Sequence, residues 1–340
     1  MRQSPKGVSA RGLVRGLLLG VGLSIGLLSA SYGADLLNFK PSDVPAREGH
    51  SLNVNSLLHR HSARSRKTGS GGESHNVSKT FVDMTPAELA TAVPELKHLK
   101  PAESQDPLPK ILDRAGSAVA AFFDNFPDTA CTEQVTSTVH KASRAGVSHY
   151  DHKYRYVALA EPGAVKGHLR EYRAAAKGDI VQPEGIVTFG FVALSVNFYP
   201  DYQVDSRFHY LGRDVIEKQD TYVVAFAQRP AVARQTASVQ FLDQSGIVYL
   251  QGIAWIDPES FRIVHLRTDL EQPNLKVGLL KETMNVLYSE VSFAHRTETL
   301  WLPREVTVTG RLKEYLFQNL HRYSDYQLFT VQVEQKQKKP

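Results

Sequence analysis

The sequence is short of cysteine, since Cys131 is the only one among 340 residues. A single cysteine excludes any disulfide within the chain, so the fold must be held together by its own core. Motifs with a recognisable catalytic or metal-binding spacing are also missing. There is no Gly-x-Ser-x-Gly elbow, no glycine-rich phosphate loop, and no Cys-x-x-Cys or His-Glu-x-x-His pattern. We therefore predict no catalytic residue, no metal site and no cofactor.

An apolar run near the N-terminus is too short to cross a bilayer. It covers the 13 residues 16–28, whereas a membrane-spanning helix needs about 20. Basic residues precede the run with no acidic residue among them, and small residues follow it. This pattern predicts a secretory signal peptide over residues 1–31. The basic residues are Arg2, Lys6, Arg11 and Arg15.

The small residues after the apolar run leave two cleavage positions open. Ser29 with Ser31, and Ser31 with Gly33, both satisfy the small-x-small rule, which places the cut at Ser31 or at Gly33. An uncleaved anchor is the alternative, and the shortness of the apolar run argues against it. We therefore expect a periplasmic or secreted protein with no transmembrane segment after cleavage.

Removing the predicted signal changes the charge of the chain. The whole sequence has 40 Lys and Arg against 35 Asp and Glu, and the signal holds four of the basic residues and none of the acidic ones. The remainder, with 36 basic against 35 acidic residues, is close to neutral. Because this part of the chain has no surplus of positive charge, we predict no nucleic-acid partner.

Residues 32–80 have the composition of a disordered linker. The stretch 60–72 has four Arg or Lys residues and a histidine in its first eight positions and almost no apolar side chain. Such a sequence buries too little apolar surface to offset the entropy lost on ordering. Its basic residues could contact an acidic glycan or lipid surface, but a solvated spacer is the preferred interpretation.

Residues 81–130 are predicted to form a helical segment that packs on a sheet. Thr85 can cap a helix, Pro86 suits its first turn, and Glu88 completes a capping box. A second helix is predicted over residues 108–123, because apolar residues recur there at helical spacing. The apolar stripe consists of Ile111, Leu112, Ala115, Val119, Phe122 and Phe123.

From residue 131 the apolar period changes to two, which predicts an antiparallel β domain over residues 131–335. Residues 189–198 are instead predicted to form a short helix. The connections are too short for helical crossovers, so neighbouring strands are expected to be antiparallel. The predicted strands cover residues 131–141, 153–160, 169–175, 208–213, 221–229, 247–256, 261–269, 283–293, 304–312 and 316–329.

The predicted fold is α+β, with a curved antiparallel sheet of about ten strands forming an open half barrel and a few covering helices. Asp257-Pro258 suits a tight turn between two of the strands. Beyond this turn His265, Arg267 and Asp269 share one face of a strand, and apolar side chains share the other. We expect the charged face to lie in water.

Two stretches resemble the outer-membrane lipoprotein carrier superfamily. Residues 250–264, LQGIAWIDPESFRIV, are similar to its strand–turn–strand with an Ile-Asp-Pro step, and residues 301–306, WLPREV, to its Leu-Pro strand entry. The C-terminal half also looks like secreted proteins of soil bacteria. The resemblance spans residues 110–330 and implies a half barrel covered by helices, with an apolar interior that holds acyl chains or lipoproteins. It assigns no functional residue by position.

We therefore expect an exported cell-envelope protein that binds an apolar or lipid-like ligand, such as a lipid or a lipoprotein, without catalysis. An unclosed barrel needs its inner side filled by a helix or by a ligand. The alternative is a structural or protein-interaction module with a filled core, which would bind another envelope protein. A hydrolase using His140, His265 or Asp269 is a third hypothesis. The residues predicted to line the cavity are Val119, Phe122, Phe123, Phe191, Phe198, Trp255 and Trp301.

Overall fold

The structure is a computed structural model that describes residues 79–143, 146–160, 166–175, 188, 190–241, 244–293 and 299–328. The predicted signal peptide, and the predicted linker up to residue 78, lie outside the described residues. The described helices are α1 (Pro86–Ala92), α2 (Leu108–Asp124) and α3 (Pro200–Gln203), with two 3₁₀ helices at Pro94–His98 and Ala193–Phe198.

Thirteen strands occur in the described part of the chain. They are β1 (Lys100–Pro101), β2 (Thr129–Lys141), β3 (Val147–Ala160), β4 (Leu169–Ala175), β5 (Ser206–Ile216), β6 (Gln219–Gln228), β7 (Ala237–Phe241), β8 (Gln244–Val248), β9 (Leu250–Ile256), β10 (Ile263–Leu270), β11 (Leu279–Val291), β12 (Leu300–Leu312) and β13 (Tyr315–Leu328).

Eleven of these strands form one large sheet in the order β1-β5-β6-β9-β10-β11-β12-β13-β2-β3-β4. Every neighbouring pair in it is antiparallel. The sheet is open, because β1 and β4 are its two ends and do not pair with each other. The predicted α+β fold, an open antiparallel sheet with a few helices, is therefore confirmed.

The two longer helices begin where the sequence predicts. Thr85 Oγ1 accepts a hydrogen bond from the Glu88 backbone N–H at 3.3 Å, and Glu88 Oε2 accepts one from the Thr85 N–H at 2.7 Å. These bonds form the predicted capping box. Helix α2 buries four members of the predicted apolar stripe, which are Ile111, Ala115, Val119 and Phe123.

The predicted strand over residues 247–256 consists of two strands with different partners. Strand β8 pairs with β7 in a separate two-stranded sheet, whereas β9 lies in the large sheet between β6 and β10. The break falls at Tyr249, and β7 has no counterpart among the predicted strands. The run Ile247-Val248-Tyr249-Leu250 has strong β-propensity throughout, and propensity does not record a change of partner.

The inner face of the large sheet, defined as the face on which α2 packs, is filled by the chain itself. Residues 191–203, here called the plug segment, include the 3₁₀ helix Ala193–Phe198 where a short helix is predicted. Phe191 and Phe198 are fully buried. The Phe198 ring meets the rings of Phe208 and Phe226 edge-on, at centroid distances of 5.3 and 5.7 Å. The half barrel is therefore packed with its own side chains over most of its inner face.

The outer face of β9 and β10 is covered, contrary to the expectation of a solvated face. His265, Arg267 and Asp269 are 4%, 6% and 9% exposed. Arg267 bonds to Asp269 at 2.8 Å and to Glu95 of the first 3₁₀ helix at 2.7 Å. Buried charges are tolerated when they are paired in this way. The prediction was wrong because the partner Glu95 lies 172 residues away in sequence, beyond the reach of a strand pattern.

Candidate functional site

A cleft of about 530 Å³ lies between α2 and one end of the large sheet. The C-terminal half of α2 forms one wall, and the first residues of β10 and β12 form another. Antiparallel pairing of both strands with β11 brings those residues to the same end of the sheet. The apolar lining consists mainly of Val119, Phe122, Val192, Ile263, Leu300 and Trp301.

Two large aromatic side chains of the cleft are held in place by neighbours. The Trp301 indole N–H donates a hydrogen bond to the carbonyl oxygen of Ile263 at 2.8 Å, which links β12 to β10. The Phe122 ring meets the rings of Phe123 and Phe126 edge-on, both at a centroid distance of 5.2 Å. Both aromatic walls are thus held by contacts within the chain itself.

Arg262 is the one formally charged side chain among the described residues that line the cleft. Its guanidinium carbon lies 5.7 Å from the centroid of the Trp301 ring. Its Nη1 is 3.9 Å from Glu290 Oε1, and the two side chains are 41% and 55% exposed. An ion pair this long and this exposed contributes about 0–1 kcal/mol, so it holds the guanidinium weakly.

The structure brings some of the predicted cavity residues together and separates others. Val119, Phe122 and Trp301 line the cleft. Phe123, Phe191 and Phe198 are buried in the main core behind it and do not line it. Their aromatic character correctly indicated that they are buried. It did not show whether they line the cleft or pack in the core behind it.

Trp255 lies on the opposite face of the sheet, which corrects its predicted place in the cavity. Its ring stacks on that of His265 at a centroid distance of 4.3 Å, and its indole N–H donates to Asp214 Oδ2 at 3.2 Å. It belongs to a second core, in which Leu89 of α1 and Leu96 of the first 3₁₀ helix cover the sheet. The helices thus cover both faces of the sheet at this point.

Sequence reasoning missed several residues of the cleft. Arg262 follows the turn between β9 and β10, Leu300 opens β12, and Tyr288 lies in β11. Strand periodicity predicts that these strands exist, but it does not show which of their ends lie next to a helix. The sequence of α2 alone contained a signal for a cleft, because the small residues Ala118 and Ala121 leave room beside the apolar stripe.

A buried ion pair between Glu133 and Arg173 lies behind the plug segment. Arg173 Nε donates to Glu133 Oε2 at 2.5 Å, while Tyr323 Oη and His321 Nδ1 donate to Oε1 at 2.8 and 2.9 Å. Burial by itself would raise the pKa of Glu133, but the charge of Arg173 and the hydrogen bonds from Arg173 and His321 hold that pKa at about 2. Arg173 also donates to the Thr188 carbonyl oxygen at 2.7 Å, which ties the sheet to the chain just before the plug segment.

Two further carboxyl groups near the plug segment keep their protons at neutral pH. Burial raises the pKa of Glu282 to about 8 against the lowering effect of the Thr188 hydroxyl, which donates to Oε1 at 3.2 Å. Burial also raises the pKa of Glu171 to about 8, although the backbone N–H groups of Ala193 and Gly190 oppose this. The uncharged carboxyl groups therefore avoid the cost of an unpaired buried charge.

We expect Glu282 to make the free energy of unfolding fall as the pH rises. An unfolded glutamate ionises near pH 4.3, whereas folded Glu282 keeps its proton up to a pKa of about 8. Its stabilising contribution is therefore complete below the unfolded pKa and is lost progressively up to the folded one, at about 1.4 kcal/mol per pH unit. Urea unfolding across this range should show that Glu282→Gln removes a slope of this size.

The matched control is Glu103→Gln at an exposed position, which should leave the slope of the unfolding free energy against pH as it is in the parent protein. If Glu282→Gln and Glu103→Gln give the same slope, Glu282 does not keep its proton in the folded protein.

The candidate residues of the hydrolase hypothesis do not converge. His140 lies on β2, whereas His265 and Asp269 lie on β10, and three strands separate β2 from β10. At about 4.8 Å per strand spacing, the path along the sheet between the two strands is roughly 19 Å. Within the described ranges, no group of three or more His, Cys, Asp or Glu side chains could hold a metal ion.

The described helices are all too short or too polar to span a membrane. No family model matches the chain, and no curated protein matches it significantly.

Three solved structures share features of this fold. A domain from Vibrio parahaemolyticus, described as an outer membrane lipoprotein-sorting protein domain, is 12% identical with a TM-score of 0.35. A DUF1329 family protein from Desulfovibrio piger is 10% identical with a TM-score of 0.32, and a LolA superfamily protein from Nitrosomonas europaea is 15% identical with a TM-score of 0.27. Each match covers 65% of this chain and 93% of the other.

Proposed function

We propose that this protein is exported to the cell envelope and binds an apolar or lipid-like ligand in the cleft beside α2, without catalysing a reaction on it. The observation that carries the proposal is the cleft itself, whose volume of about 530 Å³ lies within the range of roughly 300–1,000 Å³ that small-molecule sites occupy. Transfer of an apolar ligand into it is favourable by about 25 cal/mol for each Å² removed from water.

The construction of the cleft supports binding by a preformed site. The hydrogen bond from Trp301 to Ile263 and the aromatic cluster around Phe122 hold the walls through contacts within the chain. A preformed apolar wall saves the ordering cost of about 0.5–1.5 kcal/mol that each freely rotating side chain would add on binding.

Export is part of the proposal and depends on the predicted signal peptide over residues 1–31. Native mass spectrometry of protein purified from its own envelope tests both parts together. The expected mass is that of a chain cut at Ser31 or Gly33 with one copurified lipid-like molecule. A full-length mass would contradict the proposal of export. A mature chain without any bound molecule would contradict the proposal that the protein binds a ligand.

Filling the cleft with a side chain should abolish ligand binding. Ala118 is half-buried in the wall formed by α2, so the ring of Ala118→Phe would occupy space that the ligand needs. We expect the affinity for an apolar fluorescent probe such as 1-aminoanthracene to fall at least about tenfold, equivalent to about 1.4 kcal/mol. Fluorescence titration measures this loss.

Ala87→Phe provides the control, because Ala87 is an exposed helical alanine in α1, which covers the outer face of the sheet. It should bind the probe as the parent protein does. Equal affinities of Ala118→Phe and the parent would mean that the probe binds elsewhere and that the cleft is not the site.

The filled inner face favours a second candidate function, a structural or protein-interaction module of the envelope. Phe191 and Phe198 occupy the space where a wide half barrel would hold its ligand, and both are fully buried. Such a module would recognise a protein through a sheet edge, as at β4. Crosslinking in the envelope followed by mass spectrometry would favour it if a stoichiometric protein partner were found and no lipid copurified.

A further inference from the structure

We infer that the ligand of the cleft is an amphiphile with a single long alkyl chain and an anionic head, the head lying against Arg262. This inference rests on the proposed function and narrows it. It excludes ligands that bury two or three chains at once, and it assigns Arg262 as the residue that selects the head.

The volume of the cleft limits the number of chains. A methylene group is about as large as a water molecule, which takes up roughly 30 Å³ in the liquid. The cleft of about 530 Å³ therefore holds roughly 17 such groups, which matches one chain of about 16 carbons with its head. Two such chains need roughly 960 Å³, more than the volume of about 530 Å³ in the cleft.

The plug segment prevents the cleft from extending inward. Val192 and Ser195 belong to this segment and form part of the lining, and Phe191 and Phe198 fill the core behind them. Arg173 and Glu282 bond to Thr188 just before the plug segment, and Tyr288 Oη donates to the Phe191 carbonyl oxygen at 3.4 Å. Because the sheet holds this segment at several points, a second chain has no adjoining space to enter.

The charge of the lining selects the head. Arg262 carries the only formal charge among the described lining residues, and the other polar side chains there, such as Asn125, Ser260 and Thr299, are neutral. A guanidinium forms charge-assisted hydrogen bonds with carboxylate or phosphate oxygens in a planar fork. A head with negative charge is therefore better matched to the cleft than a neutral one.

The ion pair with Glu290 leaves the guanidinium of Arg262 able to bind a ligand. The two side chains approach only to 3.9 Å at an exposed position. Glu290 Oε1 accepts a closer hydrogen bond, of 2.5 Å, from the Thr299 hydroxyl. An anionic head that bonds directly to the guanidinium therefore replaces a weak contact with a stronger one.

Isothermal titration with three defined probes tests the inference. The probes are palmitate, which has one chain and a negative head, monopalmitoylglycerol, which has one chain and a neutral head, and dipalmitoyl phosphatidate, which has two chains and a negative head. We expect the protein to bind palmitate about tenfold more tightly than monopalmitoylglycerol, the size of one net charge-assisted hydrogen bond. Dipalmitoyl phosphatidate, supplied as vesicles of the pure lipid, should bind at least about tenfold more weakly than palmitate, because both of its chains leave the bilayer on binding and the cleft takes only one of them out of water.

The variant Arg262→Gln should bind both single-chain probes equally, since it keeps a polar side chain and loses the charge. Arg311→Gln, at an exposed position on β12 outside the cleft, should keep the parent's preference. Equal binding of palmitate and the neutral probe by the parent, or an unchanged preference in Arg262→Gln, overturns the role of the head. Binding of phosphatidate as tight as that of palmitate overturns the single chain. Failure of all three probes to bind removes the proposed function itself.

Discussion

Arg173→Met is expected to lower the free energy of unfolding by about 3–5 kcal/mol, the usual cost of removing one partner of a buried ion pair. Arg173 supplies two hydrogen bonds and the compensating charge to Glu133, whose side chain is 0% exposed. Without it, Glu133 keeps only the neutral donors His321 and Tyr323. Urea denaturation at neutral pH measures the loss.

The pH dependence separates this explanation from a simple loss of packing. In the parent, burial raises the pKa of Glu133, and Arg173 is the main group that lowers it to about 2. In Arg173→Met that pKa must rise, so protonation can neutralise the unpaired carboxyl group. The destabilisation should therefore be largest at neutral pH and shrink as the pH falls. A loss of the same size at every pH would attribute it to packing alone.

Two further variants serve as comparisons. The double variant Glu133→Gln with Arg173→Met removes both charges while keeping an acceptor for His321 and Tyr323, so it should be more stable than Arg173→Met alone. Arg311→Met removes an exposed arginine and should change the free energy of unfolding by less than about 0.5 kcal/mol. A double variant no more stable than the single one would show that the charge of Glu133 is not the cause.

Phe198→Ala is also expected to cost about 3–5 kcal/mol of unfolding free energy, the range for truncating a buried phenylalanine. The Phe198 ring is fully buried between the rings of Phe208 and Phe226 and does not line the cleft. Its removal leaves a cavity in the packed interior, separate from the proposed site. Thermal and urea unfolding measure the loss, and probe titration of the folded variant should give the parent's affinity.

Phe122→Ala is the matched comparison, because Phe122 is half-buried and lines the cleft. It should cost less stability than Phe198→Ala, since less of its surface is withdrawn from water. Its probe affinity, however, should fall because part of the apolar wall is gone. If Phe198→Ala gained binding capacity instead, the interior occupied by the plug segment would belong to the ligand site.

The helices illustrate how far local sequence reaches. Thr85 and Glu88 form the capping box that their spacing predicts, and the apolar stripe of α2 faces the core. Both features depend on residues within about one turn of each other, so the sequence contains everything needed to predict them. The existence of most strands likewise follows from their local period of two. The antiparallel arrangement was expected from the short connections between them.

The outer face of β10 shows where a local pattern fails. Alternation placed His265, Arg267 and Asp269 on one face correctly, but whether that face meets water depends on Glu95 and Phe81, which are distant in sequence. Trp255 is the cross-strand partner of His265, so it lies on the same outer face and is buried by the same covering segment. A charged residue can be buried only where a partner compensates it, and strand periodicity does not report such a partner.

Apolar residues of α2 and the aromatic Trp301 could be predicted for the candidate site, because helical and strand periods are local properties. The packing of distant segments determines that the plug segment fills the inner face, that a cleft remains at one end of the sheet, and that Arg262 lies in its lining. A cavity is the volume left after distant segments pack, so its size and charge belong to no single stretch of the chain.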